Sequence, residues 1–211
     1  MIRESFQESG FKNILNDARR QDLEKKFEQL PNADKYVFQH GPVVLSVNSS
    51  FCGLLSNTLF RRVLHVTQGR FSSTLPMVFI PLISTMVTYE AAVRQPLMEG
   101  DLNCSICAFI RGGLTGAVVG CLHPVFIALP LNACLAARYN TSPMPSKENM
   151  LKYWKGVCYP VLKKMRFAIF LQFALGAYLG SRQHAIYLKM LKMPGLKDPE
   201  ELDRNEVTGV S

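Results

Sequence analysis

Four stretches of the chain run without a formal charge. Pro42 to Phe60 and Phe71 to Tyr89 hold 19 residues each, Gly112 to Ala137 holds 26, and Phe167 to Ser181 holds 15. An α-helix rises ~1.5 Å per residue, so roughly 20 apolar residues cross a bilayer. The first three stretches meet that length, although Ser46, Asn48, Ser49, Ser50, Ser56 and Asn57 weaken the first. The fourth reaches back toward Pro160 when Lys163, Lys164 and Arg166 snorkel to the interface. One such run reads as a buried core helix. Four, each bracketed by Arg or Lys, read as transmembrane helices at about 42–60, 71–89, 112–137 and 160–181. The expected fold is all-α, a polytopic membrane protein with four transmembrane helices. Residues 1–41 form a soluble N-terminal segment, 42–181 the membrane domain, and 182–211 a largely disordered tail marked by Pro194-Gly195, Asp198-Pro199 and Gly209.

Small residues and prolines punctuate these runs. Gly112, Gly116 and Gly120 recur every four residues on one helix face, Gly176 and Gly180 repeat the spacing, and Ser49 and Gly53 do so in the first run. Small residues at this spacing let helix backbones approach closely in lipid. The spacing alone does not say whether the partner helix is internal or foreign. Pro76, Pro81, Pro124 and Pro130 predict kinks or local unwinding in the second and third runs. Ahead of the first run, residues 11–30 read as a surface or partner-facing helix with two apolar stripes. Phe11, Ile14, Leu15 and Ala18 make one, and Leu23, Phe27 and Leu30 make the other. Pro31 ends that helix or opens another turn at Asn32.

Composition agrees with a chain partly in the membrane. Of 211 residues 48% are hydrophobic and only 19% charged, and the mean hydropathy is +0.08. This excludes a disordered chain, and six cysteines are too sparse for a disulfide mini-protein. The net charge of +8 leaves nucleic acid open until its location is read. Residues 1–41 carry seven basic and seven acidic side chains, and residues 182–211 carry five of each. The surplus sits at Arg61, Arg62 and Arg70 and at residues 138–166, beside the uncharged runs. A nucleic-acid surface interleaves basic and aromatic residues on an exposed domain, so no nucleic-acid partner is expected. Loops 61–70 and 138–166 are basic and loop 90–111 is slightly acidic. The positive-inside rule then places both termini on the side away from the basic loops. No secretory signal or acid-poor transit peptide opens the chain, which leaves internal targeting.

Candidate chemistry is thin. Cys104 and Cys107 form the one CxxC, and no second ligand pair accompanies it for zinc. A redox or structural dithiol and two free thiols remain open readings. Cys52, Cys121, Cys134 and Cys158 read as small apolar packers. His123 lies within the third run, just before Pro124. An intramembrane ionisable group is a functional candidate, but a neutral imidazole bonding a carbonyl freed by the proline is the plainer reading. No Asp, Glu, Lys or Arg lies inside any run, as a proton-coupled transporter would need. With no phosphate loop and no nucleophile elbow, neither an enzyme nor a cofactor is expected.

Several pieces in order resemble one family. They include Cys52-Gly53-Leu54, Leu59 to Leu64, Leu75-Pro76-Met77 and Gly100-Asp101-Leu102-Asn103-Cys104. They continue with Gly113 to Gly116, Pro124-Val125-Phe126, Leu135 to Tyr139, Tyr153-Trp154 and Ala177 to Ser181. Together they resemble the transmembrane protein 126 family, its A-type branch more than its B-type, over about residues 29–191. Two spots depart from the pattern: His123 stands in place of a Tyr, and Asn132-Ala133-Cys134 in place of Asn-Gly-Gly. The resemblance implies a multi-pass protein of the mitochondrial inner membrane. It implies a role in assembling the membrane arm of respiratory complex I, in particular its distal module. The implied partners are newly made, mitochondrially encoded subunits, the inner-membrane insertase, other complex I assembly factors and the lipid bilayer. It carries no catalytic residue with it. The residues themselves add small-residue faces suited to holding a client helix, and basic loops suited to acidic partners. A pore or translocase subunit of the Tim17/Tim23 type, also four spans with Gly-x-x-x-Gly repeats, is the competing expectation.

Overall fold

The computed structural model describes residues 21–141 and 149–193, and among these there are helices and no strand. Four long helices make the body: α1 (Asn32–Val63), α2 (Arg70–Glu99), α3 (Ser105–Arg138) and α4 (Met150–Lys192). A further helical stretch, residues 21–28, precedes α1. The other half of the expected N-terminal helix, residues 11–20, lies outside the described residues.

The helix ends follow local chemistry. Extended Pro31 precedes α1, Asp34 sits in its first turn, and Arg61 and Arg62 sit in its last, each charge complementing the helix dipole. Three helices close in the same turn, with a left-handed residue whose successor donates back into the last turn. His65 (φ 55°) lets Val66 N–H reach Arg61 O at 3.0 Å, Asn140 (φ 49°) lets Thr141 N–H reach Ala136 O at 3.1 Å, and Gly100 (φ 83°) lets Asp101 N–H reach Pro96 O at 2.9 Å.

Element bounds differ from the uncharged runs in three places. First, α1 begins at Asn32, well ahead of Pro42 where the uncharged run starts. Second, most of the expected loop 90–111 is helix: α2 continues through Glu99 and α3 starts at Ser105, which leaves 100–104 as the connection. Third, the tail does not begin at 182. α4 runs on to Lys192 because Gln183, Ile186, Tyr187 and Met190 make a buried stripe. Residues 194–211 lie outside the described residues.

The helices pack up-down-up-down. At one end Asp34 of α1 meets α4, with Lys189 Nζ at 2.6 Å and Arg182 Nη2 at 3.4 Å. The 100–104 connection is at this end too, where Leu97, Leu102 and Ala108 join Phe38, Ile186, Tyr187 and Met190 in one apolar cluster. Leu23 and Leu30 belong to it and Phe27 packs against it, so the stripe expected to face a partner covers the bundle's own end. At the opposite end the Thr141 hydroxyl donates to Leu64 O at 3.2 Å and ties the connections after α1 and α3 together. Helices α1, α2 and α3 are long and apolar enough to cross a membrane. Burial is uneven: 56% of the most apolar stretch of α1 is buried, 39% of α3, and 22% of α2. α1 is thus the central helix and α2 the most open.

Candidate functional site

The longest run of close backbone approach lies between α3 and α4. A methyl group on Gly112 would run into the carbonyl oxygen of Gly176, and one on Gly176 into that of Gly112. Gly116 lies likewise against the Gln172 carbonyl and Gly180 against the Ala108 carbonyl. The two glycine repeats therefore face each other inside one chain. Only hydrogen at Cα lets the helices approach this closely, and Cα–H to carbonyl contacts of this kind add about 0.5–1 kcal/mol each. Gly120 differs, because it faces the flexible Gln172 side chain, whose Nε2 lies 2.6 Å from where a methyl would be. Gly113 faces the Phe173 ring. Gly53 repeats the backbone theme between α1 and α2 against the Met77 carbonyl.

A second seam, made of side-chain donors, runs along α1. Ser49 donates to Gly120 O at 2.8 Å and accepts from the Thr85 hydroxyl at 2.8 Å. Ser50 donates to Val78 O at 3.0 Å. Asn132 donates to Asn57 Oδ1 at 2.8 Å, and Asn57 donates to the Ser73 hydroxyl at 3.3 Å. The polar residues that weaken the first run as a span are thus turned inward. Two glutamines complete the seam, and no motif marked them. Gln172 donates to Leu45 O at 3.0 Å and bonds Asn48, while Gln183 donates to Phe38 O at 3.2 Å and accepts from Tyr89 Oη at 3.1 Å. A Gln inside an uncharged run is the signal that would have found Gln172.

The prolines explain part of this placement. A proline offers no N–H to the carbonyl four residues earlier. Pro42 so leaves Phe38 O, which Gln183 serves, and Pro124 leaves Gly120 O, which Ser49 serves. Pro81 leaves Met77 O, which faces Gly53. Thr115–Leu122, ahead of Pro124, is wound as a π-helix, as is Glu90–Arg94 in α2. His123 does not take the carbonyl that the proline frees: its Nδ1 is buried without a partner.

The remaining candidates lie outside the seams. Cys104 and Cys107 are exposed and unbridged at the start of α3. Cys104 caps the helix, its Sγ accepting from Cys107 N–H at 3.4 Å. Hydrogen bonding from Cys107, thiol first and backbone N–H second, holds the Cys104 thiol below its ordinary value. Cys52 and Cys121 are buried in the core, whereas Cys134 is exposed. The ends are electrically unlike. Every acidic residue among the described ones, Asp22 to Asp34 and Glu90 to Asp101, sits at the Asp34 end. Arg61, Arg62, Arg70 and Arg138 gather at the other.

The family model for transmembrane protein 126 matches residues 17–196. This chain belongs to the transmembrane protein 126 family. Transmembrane protein 126A of Homo sapiens is 45% identical over 172 residues, 82% of this chain and 88% of that protein. The mitochondrial complex I assembly factor TMEM126B of Mus musculus is 31% identical over 164 residues, 78% of this chain and 70% of that protein. Transmembrane protein 126 of Drosophila melanogaster is 28% identical over 163 residues. No solved structure matches the chain. The family match covers α1 to α4 with both seams.

Proposed function

We propose that this member of the family is a non-enzymatic assembly factor of the mitochondrial inner membrane. It helps build the membrane arm of respiratory complex I by holding newly made subunits near the insertase, and it acts on the distal module. The observation that carries the reading is the kinship, over most of the chain, with a mouse protein named as a complex I assembly factor.

The helix contacts refine how such a helper holds its client. The glycine faces are occupied inside the bundle, so they do not receive a foreign helix. Contact falls to the outer faces, of which α2 is the most open, with Leu75, Phe79, Ile83 and Val87 all exposed. A half-built membrane arm exposes helix faces that gain little from lipid, and a helper that covers them binds modestly and leaves when the true neighbour docks. The fourth span belongs to the same reading. α4 pairs with α3 from Gly180 beside Ala108 through Gln172 beside Gly116, so its uncharged stretch lies beside the first half of α3. Four passes then put the Asp34 end, with both termini, on the intermembrane-space side and the basic end in the matrix.

Deletion followed by native-gel fractionation is the test. Assembled complex I is expected to fall, with membrane-arm intermediates accumulating and other respiratory complexes spared. Normal complex I with a selective import defect would replace this reading by the translocase one. Protease protection of tags at residues 1 and 211 in mitoplasts checks the passes: equal protection is expected, and unequal protection excludes four.

A further inference from the structure

The basic end holds a cleft that borders the polar seam at Asn57. Its volume is about 550 Å³, and its walls come from the last turn of α1, the connection, and the first turn of α2. Arg61, Arg62, His65 and Arg70 supply its charge, and Thr58 and Thr67 supply hydroxyls. Arg61 is anchored: it donates to Ser73 Oγ at 2.9 Å and to Gln68 O at 2.7 Å, which fixes its guanidinium without neutralising it. Arg62 and Arg70 have no ion-pair partner among the described residues. No acid lies between Asp34 and Glu90, or between Asp101 and Glu148. Among the described residues the cluster is thus a set of cations gathered in a concave site against their mutual repulsion, with no carboxylate beside it to offset it. On the far side of Arg62 a smaller cleft of about 220 Å³ adds Lys164.

The depth of the cleft identifies its occupant. It opens where the charge-free stretch of α1 ends at Phe60 and that of α2 begins at Phe71. Phe71 and Leu75, one turn apart on α2, stand 86% and 56% exposed beside it. An anion seated among Arg61, Arg62 and Arg70 is therefore continuous with an apolar strip pointing into the hydrocarbon. Basic pockets at the ends of membrane helices are suited to lipid phosphate headgroups, and guanidinium forks match phosphate oxygens in pairs.

We propose that this cleft binds the phosphodiester headgroup of an anionic phospholipid, whose acyl chains lie along Phe71 and Leu75. The claim is separate from the assembly reading and survives its failure.

The full chain in phosphatidylcholine nanodiscs, with and without diphosphatidylglycerol, is the system, and native mass spectrometry of retained lipid the readout. Arg62→Gln with Arg70→Gln is expected to lower retention of the anionic lipid by roughly thirty-fold, two near-surface charges' worth. Lys163→Gln with Arg166→Gln removes the same charge elsewhere and is expected to change retention little. Helical content by circular dichroism screens the variants for folding. Arg62→Gln alone, which leaves the Arg61 anchor intact, gives an intermediate loss. Equal retention in wild type and the Arg62/Arg70 variant overturns the site. An equal loss in the Lys163/Arg166 variant overturns it too, in favour of diffuse surface attraction. Inorganic phosphate that displaces no lipid supports the lipid assignment. Phosphate that binds the wild type in neutral nanodiscs as tightly as the lipid does overturns it in favour of a soluble phosphate.

Discussion

The two seams solve one problem by opposite means. Between α3 and α4 the sequence removes side chains, and backbones meet at Gly112, Gly116, Gly176 and Gly180. Along α1 it keeps short polar side chains, and Ser49, Ser50, Asn57 and Gln172 tie neighbouring helices by hydrogen bonds. Lipid supplies little hydrophobic drive between helices, so association rests on dispersion in the first seam and on buried polar bonds in the second. The first tolerates no added atom. The second tolerates change of size better than loss of a donor, because a carbonyl left without a partner is costly in hydrocarbon.

The sharpest way to break the glycine seam is a large residue on its backbone-facing positions. Gly116→Leu or Gly176→Leu forces the helices apart and is expected to lose about 1–3 kcal/mol, the usual range for overpacking. Unfolding in mild detergent titrated with dodecyl sulfate reads this, and falling steady-state abundance accompanies it. Unchanged stability would mean that α3 and α4 do not meet here.

Donor loss in the polar seam comes next. Ser49→Ala leaves Gly120 O without its side-chain donor and Thr85 without its acceptor. The expected loss is about 1 kcal/mol, in the range measured for hydrogen bonds between membrane helices. Restoring a hydroxyl with Ser49→Thr should recover most of it in the same titration. If Thr fails where the loss is real, crowding rather than the hydrogen bond controls the site.

Within the glycine repeat itself, position 120 separates from position 116. Gly116→Ala strikes a main-chain oxygen, while Gly120→Ala strikes the Gln172 amide, which has torsions to move by. The alanine at 120 is therefore expected to destabilise less than the alanine at 116. Equal effects would show that Gln172 is held as firmly as backbone by its bonds to Leu45 and Asn48.

Much of this was open to reading from residue pattern, and some was not. Spacing of four between small residues names Gly112, Gly116, Gly176 and Gly180 because helical periodicity is local. Which helix they meet is not local, and only the pairing of α3 with α4 answers it. Ser46 to Asn57 argued against a span because hydropathy sums around the helix, whereas burial depends on direction: Ser46, Ser49 and Ser56 are each fully buried. The end of α4 was missed for the same kind of reason. Balanced charges over 182–211 suggest a solvated tail, but Ile186, Tyr187 and Met190 share one face and find the Asp34 end to cover. The basic surplus at Arg61, Arg62 and Arg70 was legible as charge, while the cleft that gathers it needs the fold of the 64–69 connection.

The smallest expected effect has the opposite sign. Gly156, in the interior of α4, has no atom of another described residue, its own helix turn aside, within 4 Å of where a methyl group would stand. It is exposed and its φ is not in the left-handed region. Nothing at this glycine requires a missing side chain, so it contributes only the entropy that glycine loses on helix formation. Gly156→Ala should therefore stabilise the chain by about 0.5–1 kcal/mol. The same substitution at Gly116 destabilises, although both glycines sit in long helices of one bundle. The difference isolates contact from propensity, because propensity favours alanine at both positions. The pair is read in a single dodecyl sulfate titration of two variants against wild type. Destabilisation by Gly156→Ala would mean that another surface, a second chain or a bound client, closes over α4 at that point. Stabilisation at both positions would leave the glycine repeat with no packing role.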